Sequence, residues 1–166
     1  TKATVQLMRD LGSIPAAHNA FLLNVGLESL HLRMARHCEN AKKGAEYLKS
    51  NEKITWVKCP MLENDAQYEI AKKYMPNGTC GVVSFGIKGG REAGIKFMNS
   101  LKLAAIVTHV ADARTCCLHP ASSTHRQLTD AELAEAGVTP DLIRFSCGIE
   151  AAEDIIEDIQ QALDQI

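Results

Sequence analysis

The chain has 166 residues, 46% hydrophobic and 23% charged, and its 18 basic and 20 acidic side chains leave a net charge of −2. That length fits one domain, burying roughly two-thirds of the surface its unfolded form exposes. The near balance of charge excludes a nucleic-acid binder working by bulk charge, and no apolar run approaches the ~18 residues of a membrane span. The charged opening TKATVQLMRDLG lacks the apolar stretch of a secretion signal. Cys38, Cys59, Cys80, Cys116, Cys117 and Cys147 show no C-x-x-C spacing, so they read as reduced thiols acting as small apolar residues in a cytoplasmic protein.

No internal repeat or low-complexity tract divides the chain. The opening is mixed in character up to Gly12-Ser13, and Pro15 then suits the first turn of a helix. Phe21, Leu22, Val25, Leu27, Leu30, Met34, His37, Cys38, Ala41, Ala45 and Leu48 recur at three- and four-residue steps. This predicts one long amphipathic helix with Gly26 as its weak point. A strand at Ile54–Val57 is closed by Pro60. Asn64 or Asp65 is placed to cap a helix that Pro76-Asn77-Gly78 stops. Gly81–Ile87 reads as a buried strand and Arg91–Leu101 as a helix, followed by strands at Ala104–Val107 and Thr115–Leu118. Thr129 and Glu132 form a capping box, Leu142–Ser146 alternates like a strand, and Glu150–Ile166 is the final helix. The fold class is therefore α/β or α+β, a mostly antiparallel sheet with helices mainly on one face. The strands at 104–107 and 115–118 are joined too briefly for a parallel crossover, so they are expected to be antiparallel.

Several candidate sites are weak. Gly86–Gly90 follows a strand but has the order of neither a phosphate loop nor a dinucleotide turn, and reads as a strand-to-helix turn. Ser50 and Lys53 have S-x-x-K spacing in a polar helix end, where the lysine is expected to be solvated. His119, His125 and Asp112 lie across a proline-containing loop with no third ligand obviously placed, so backbone-bonding loop histidines are the simpler reading. His31 and His37, six apart on a helix, face different sides. Arg144 is more informative because it alternates with Ile143 and Phe145 and so projects from one sheet face. Its planar fork suits either a structural ion pair with an acid such as Asp112 or Glu150, or a carboxylate ligand.

The segments HPASSTH (His119–His125), QLTDAELAEAGVTPDLIRFSCGIE (Gln127–Glu150), NAFLLNVGLESLHLRMARHCENA (Asn19–Ala41) and GVVSFGIKGG (Gly81–Gly90) together resemble the C-terminal part of the Cys/Met-metabolism family of pyridoxal-phosphate (PLP) enzymes. The chain is most similar to that family's O-acetylhomoserine sulfhydrylase branch. The resemblance implies a C-terminal small domain of the fold-type I PLP enzymes over residues 27–166, with 1–26 a connecting segment from the large-domain side. It implies that the N-terminal PLP-binding domain, with its S-x-[TS]-K Schiff-base lysine, lies upstream, so PLP belongs to the full-length enzyme and is not held covalently in this chain. The isolated chain would then be inactive.

By the same resemblance, Arg144 matches the arginine that grips the substrate α-carboxylate. His109-Val110-Ala111-Asp112-Ala113-Arg114-Thr115 corresponds to the family's N-V-G-D-A-[RK]-S loop, and His109 and Val110 lie beside that carboxylate. His109 replaces the usual Asn or Ser and Ala111 the usual glycine, while Cys116 and Cys117 replace larger aliphatics. If residue 111 has a positive φ, the alanine costs about 1 kcal/mol or more. The implied reaction converts O-acetylhomoserine and sulfide or a thiol to homocysteine or methionine and acetate, in a cytoplasmic homo-oligomer, tetrameric in the parent enzymes. A γ-lyase or cystathionine synthase relative, or a stand-alone binding or oligomerisation module, is the alternative.

Overall fold

In the computed structural model, which describes residues 1–12 and 14–166, the chain divides into two units, Thr1–Leu32 and Arg33–Ile166. Ser13, placed by the sequence at the end of the mixed opening, lies outside the described residues. The opening is more helical than its mixed character suggests: a π-helical run Ala3–Met8 leads into helix α1, Arg9–Leu11. No proline or glycine interrupts that run until Gly12, whose φ of 65° ends it. Helix α2, Ala17–Glu28, starts after an extended Ala16, so Pro15 precedes the helix instead of sitting in its first turn. The expected long helix is in fact two, because helix α3 spans Leu30–Ser50. The break falls at Ser29 (φ −103°, ψ 4°) and not at Gly26. A glycine inside a helix costs only about 1 kcal/mol and need not end it. Phe21, Leu22, Leu23 and Leu27 of α2 are all more than half exposed.

The second unit is built on a five-stranded sheet. Strand β1 is Ile54–Lys58, β2 Val82–Ile87, β3 Ala105–Ile106, β4 Cys116–Leu118 and β5 Leu142–Ser146. Their spatial order is β1-β2-β5-β4-β3. The pairs β1/β2, β2/β5 and β5/β4 are antiparallel, in agreement with the expected sheet. The exception is β3/β4, which pairs parallel. The crossover argument fails here because each strand contributes only two residues to the ladder, Ala105↔Cys116 and Ile106↔Cys117. An irregular loop reaches back over so short a distance without a helix.

One sheet face carries Val83, Phe85, Ile87, Ile143, Phe145 and Cys117, packed into a single core with Ala41, Ala45 and Leu48 of α3. Phe97 and Met98 of helix α5 (Gly90–Ser100) and Ile155, Ile159 and Ala162 of helix α7 (Ala152–Leu163) complete it. The helices thus share one face, as the alternation of β5 requires. Phe85 anchors this core edge-on to Phe97, ring centroids 5.9 Å apart at 89°, a geometry worth about 0.5–1.5 kcal/mol beyond burial. The turn before α5 is the expected strand-to-helix turn, with Gly89 at φ 98° as N-cap. Helix α4 spans Tyr68–Tyr74, and neither Asn64 nor Asp65 caps it. Asp65 accepts from Cys59 N (2.9 Å) and Gln67 N (2.9 Å), fixing the turn before the helix. Thr129 and Glu132 do form the reciprocal capping box of helix α6, Asp130–Glu135.

Two buried side chains tie connections to this frame. Asp158 of α7 accepts from the backbone N–H groups of Lys102, Leu103 and Ala104 at 2.8, 3.0 and 2.9 Å. That fixes the approach to β3. His119, 2% exposed, lies between Ser122 Oγ (2.7 Å from Nδ1) and the Pro140 carbonyl (2.8 Å from Nε2). A carbonyl only accepts, so Nε2 carries the proton and donates to it.

Two predictions follow from these connections. Ala111 is the one non-glycine residue with positive φ among those described, at 59°, so Ala111→Gly is expected to raise unfolding free energy by about 1 kcal/mol in chemical denaturation. An unchanged or lowered midpoint would show the turn to be unstrained. Burial, chiefly, lowers the His119 pKa below its ordinary 6.5. The stability due to the neutral ring is then fully present above pH 6.5 and lost as pH falls through the lowered value. His119→Gln, which cannot protonate there, is expected to show a smaller loss of stability between pH 6.5 and 5 than the parent; an equal loss would assign that dependence to other groups.

Candidate substrate-carboxylate site

The sheet face away from the helices carries Arg144, which sits in the ladder between Ser84 and Leu118. Ile143 and Phe145, on either side, are buried to 0% and 1% exposure in the core. The strand's period of two therefore forces Arg144 outward. Its Nη2 donates to the Thr108 carbonyl at 2.8 Å. Its Nε is buried and has no hydrogen-bond partner. Neither acid suggested as an ion-pair partner meets it. Asp112 accepts from His109 Nδ1 (3.3 Å) and Arg114 N (3.0 Å), and Glu150 accepts from Thr115. No carboxylate lies within 4.0 Å of Arg144 among the described residues. The guanidinium is thus a half-buried cation, bonded to a backbone carbonyl through Nη2 and without a hydrogen-bond partner at Nε.

The Arg144–Thr108 bond brings the adjoining loop beside the arginine. His109 follows directly, its side chain 65% exposed and paired with Asp112. Val110 is 53% exposed. Hydrogen bonds from Arg114 N, and then from His109, hold the Asp112 carboxyl below its ordinary value. Ala111 turns the loop at φ 59° while its N–H donates to Ser146 Oγ at 3.1 Å.

The other candidates disperse. Ser50 Oγ donates to Tyr47 O, and the half-buried Lys53 donates from Nζ to the carbonyls of Leu163 and Ile166 at 2.8 and 3.0 Å, closing the end of α7. His119 is committed to Ser122 and Pro140, His125 contacts Thr124, and no group of three ligands suited to a metal occurs among the described residues. Burial pushes the Cys147 thiol up to about 12 and Cys117 well above its ordinary value, so neither is a ready nucleophile. None of the eleven lysines is buried.

Sequence reasoning placed His37 on the helical stripe without a role for it, and missed Asn40. Both lie on the buried stripe of α3, at 0% and 1% exposure. His37 Nδ1 donates to Cys147 O (2.7 Å), and Asn40 Nδ2 donates to the carbonyls of Gly148 and Glu150 (2.9 Å each). Two polar residues within an apolar helical stripe were the signal that this face fixes a backbone turn.

The family described as Cys/Met metabolism PLP-dependent enzyme matches residues 1–164. The chain is 48% identical over 159 residues to a homocysteine synthase of Schizosaccharomyces pombe, covering 96% of this chain and 37% of that protein. It is 46% identical over 166 residues to an O-acetyl-L-homoserine sulfhydrylase of Leptospira meyeri, covering 99% and 38%. A crystal structure of a protein assigned as an O-acetylhomoserine (thiol)-lyase, from Campylobacter jejuni, superposes with a TM-score of 0.90 at 36% identity, over 98% of this chain and 39% of that one. That structure carries N'-pyridoxyl-lysine-5'-monophosphate at position 205, outside the matched part. The chain spans less than two-fifths of the length of these relatives, and it belongs to the Cys/Met metabolism PLP-dependent enzyme family.

Proposed function

We propose that this chain is the C-terminal part of an O-acetylhomoserine sulfhydrylase and supplies the clamp for the substrate α-carboxylate. The observation that carries the reading is Arg144, half-buried, without a carboxylate partner among the described residues and with Nε unsatisfied. A buried donor such as this Nε is costly to leave unpaired. A carboxylate matches that planar fork through two parallel bonds. Thr108 O holds the guanidinium in place beforehand, so less freedom is lost on binding. His109 and Val110, exposed beside it, line the carboxylate end of the site. Clamping one end of the amino acid orients the bond to be broken at Cα.

PLP, held by the preceding large domain, supplies the electron sink of the family's chemistry; in this reading the present chain binds and orients the substrate and is inactive alone. Residues 1–26 connect to that domain. The exposed apolar side chains Phe21, Leu22, Leu23 and Leu27 are of the kind that a further domain or subunit covers, which supports a homo-oligomer, tetrameric in the parent. The names of the relatives favour sulfhydrylase over lyase or cystathionine synthase. Six free thiols are suited to the reducing cytoplasm.

In the complete enzyme, Arg144→Ala is expected to lower kcat/KM by roughly 30- to several-thousand-fold, the loss of a desolvated charge pair worth about 2–5 kcal/mol. Arg144→Lys recovers only part of this, since an ammonium lacks the planar fork. PLP content stays normal in both. Near-normal kcat/KM in Arg144→Ala, with only a lowered melting temperature, would show the arginine to be structural.

A further inference from the structure

Glu150 follows strand β5 and has no cationic partner within 4.0 Å among the described residues. Both its carboxylate oxygens are directed at one residue 35 positions away. Thr115 N donates to Oε1 at 2.7 Å and Thr115 Oγ1 donates to Oε2 at 2.8 Å. The direction of the second bond is fixed, because an ionised carboxylate only accepts, while Thr115 Oγ1 also accepts from Gly148 N at 2.9 Å. The hydroxyl proton must therefore go to Glu150. Two donors converge on two acceptors, and a carboxylate is the side-chain group that offers two acceptors and no donor.

The backbone beneath is packed to match. A Cβ at Gly148 would come within 2.5 Å of Ala113 O and Thr115 N, so only glycine lets the two segments approach. Ile149 N donates to Ala113 O at 2.9 Å. The 147–150 turn is in turn held from α3 by His37 and Asn40. Through these contacts, α3 and the end of β5 fix the C-terminal end of the loop whose other end carries Thr108 and His109.

We propose that Glu150 is a positioning residue for substrate binding: by accepting both Thr115 hydrogen bonds it sets the 108–115 loop against Arg144. This rests on the clamp reading above. Glu150→Gln keeps the shape but turns one amide N–H toward a donor, so the loop end loses a charge-assisted bond. Thr115→Val removes the hydroxyl link and keeps the backbone one.

The test is steady-state kinetics of the complete PLP-loaded enzyme, with melting temperature and PLP content measured alongside, on Glu150→Gln, Thr115→Val, the double variant and Arg144→Ala. KM for the amino-acid substrate is expected to rise about tenfold in Glu150→Gln, the loss of one charge-assisted hydrogen bond, with kcat and the KM for sulfide within about twofold. The double variant should be little worse than Glu150→Gln, because both remove one link. An amino-acid KM within twofold of normal in Glu150→Gln and Thr115→Val, with Arg144→Ala impaired, would overturn the positioning role and leave the clamp standing. An unimpaired Arg144→Ala would overturn both. Should Glu150→Gln not fold, Thr115→Val decides alone: a raised amino-acid KM supports the role, and a lowered melting temperature with normal KM contradicts it.

Discussion

Hydrogen bonds from the loop to the end of strand β5 determine where the candidate site can exist. Ala111 N reaches Ser146 Oγ, Ile149 N reaches Ala113 O, and Thr115 meets the Glu150 carboxylate. The loop joins a parallel pair with only two ladder contacts, too few to define its course. Side-chain acceptors from the neighbouring strand's end supply what the sheet does not. The same ties account for a residue with unfavourable backbone geometry, since Ala111 at φ 59° persists because its N–H is fixed from outside.

Arg144 depends on this arrangement in two ways. Its outward direction follows from the core: Ile143 and Phe145 are buried against α3, α5 and α7, and reversing them would expose two large apolar side chains. Its orientation within the face follows from the loop, through the Thr108 carbonyl. A rigid core thus sets the position of the guanidinium, and a tethered loop sets its angle. The division suits a binding residue, which needs fixed placement and an unfilled donor edge.

Much of this was legible in the residues. The alternation of Leu142–Ser146 gave the strand, its face and the direction of Arg144, and Thr129 with Glu132 marked a helix start that the structure reproduces. A single helix was expected where Ser29 makes two, because hydrophobic spacing carries across a one-residue break. The parallel β3/β4 pair was missed because chain length between strands limits regular crossovers and not two-residue contacts. The partners of Lys53 were not legible because the carbonyls it meets lie 110 and 113 residues further on, beyond any local pattern. The family was readable from the long matched stretches around Arg144, and the whole-chain matches bear it out.

The most direct measurement is a crystal structure of the complete enzyme with a non-reacting α-amino acid bound. The α-carboxylate is expected within hydrogen-bonding distance of the Arg144 guanidinium, using the Nε that lacks a partner here, with the Thr108 carbonyl still bound on the other side. A ligand carboxylate held by other residues, with Arg144 Nε turned to a protein acceptor, would contradict the clamp.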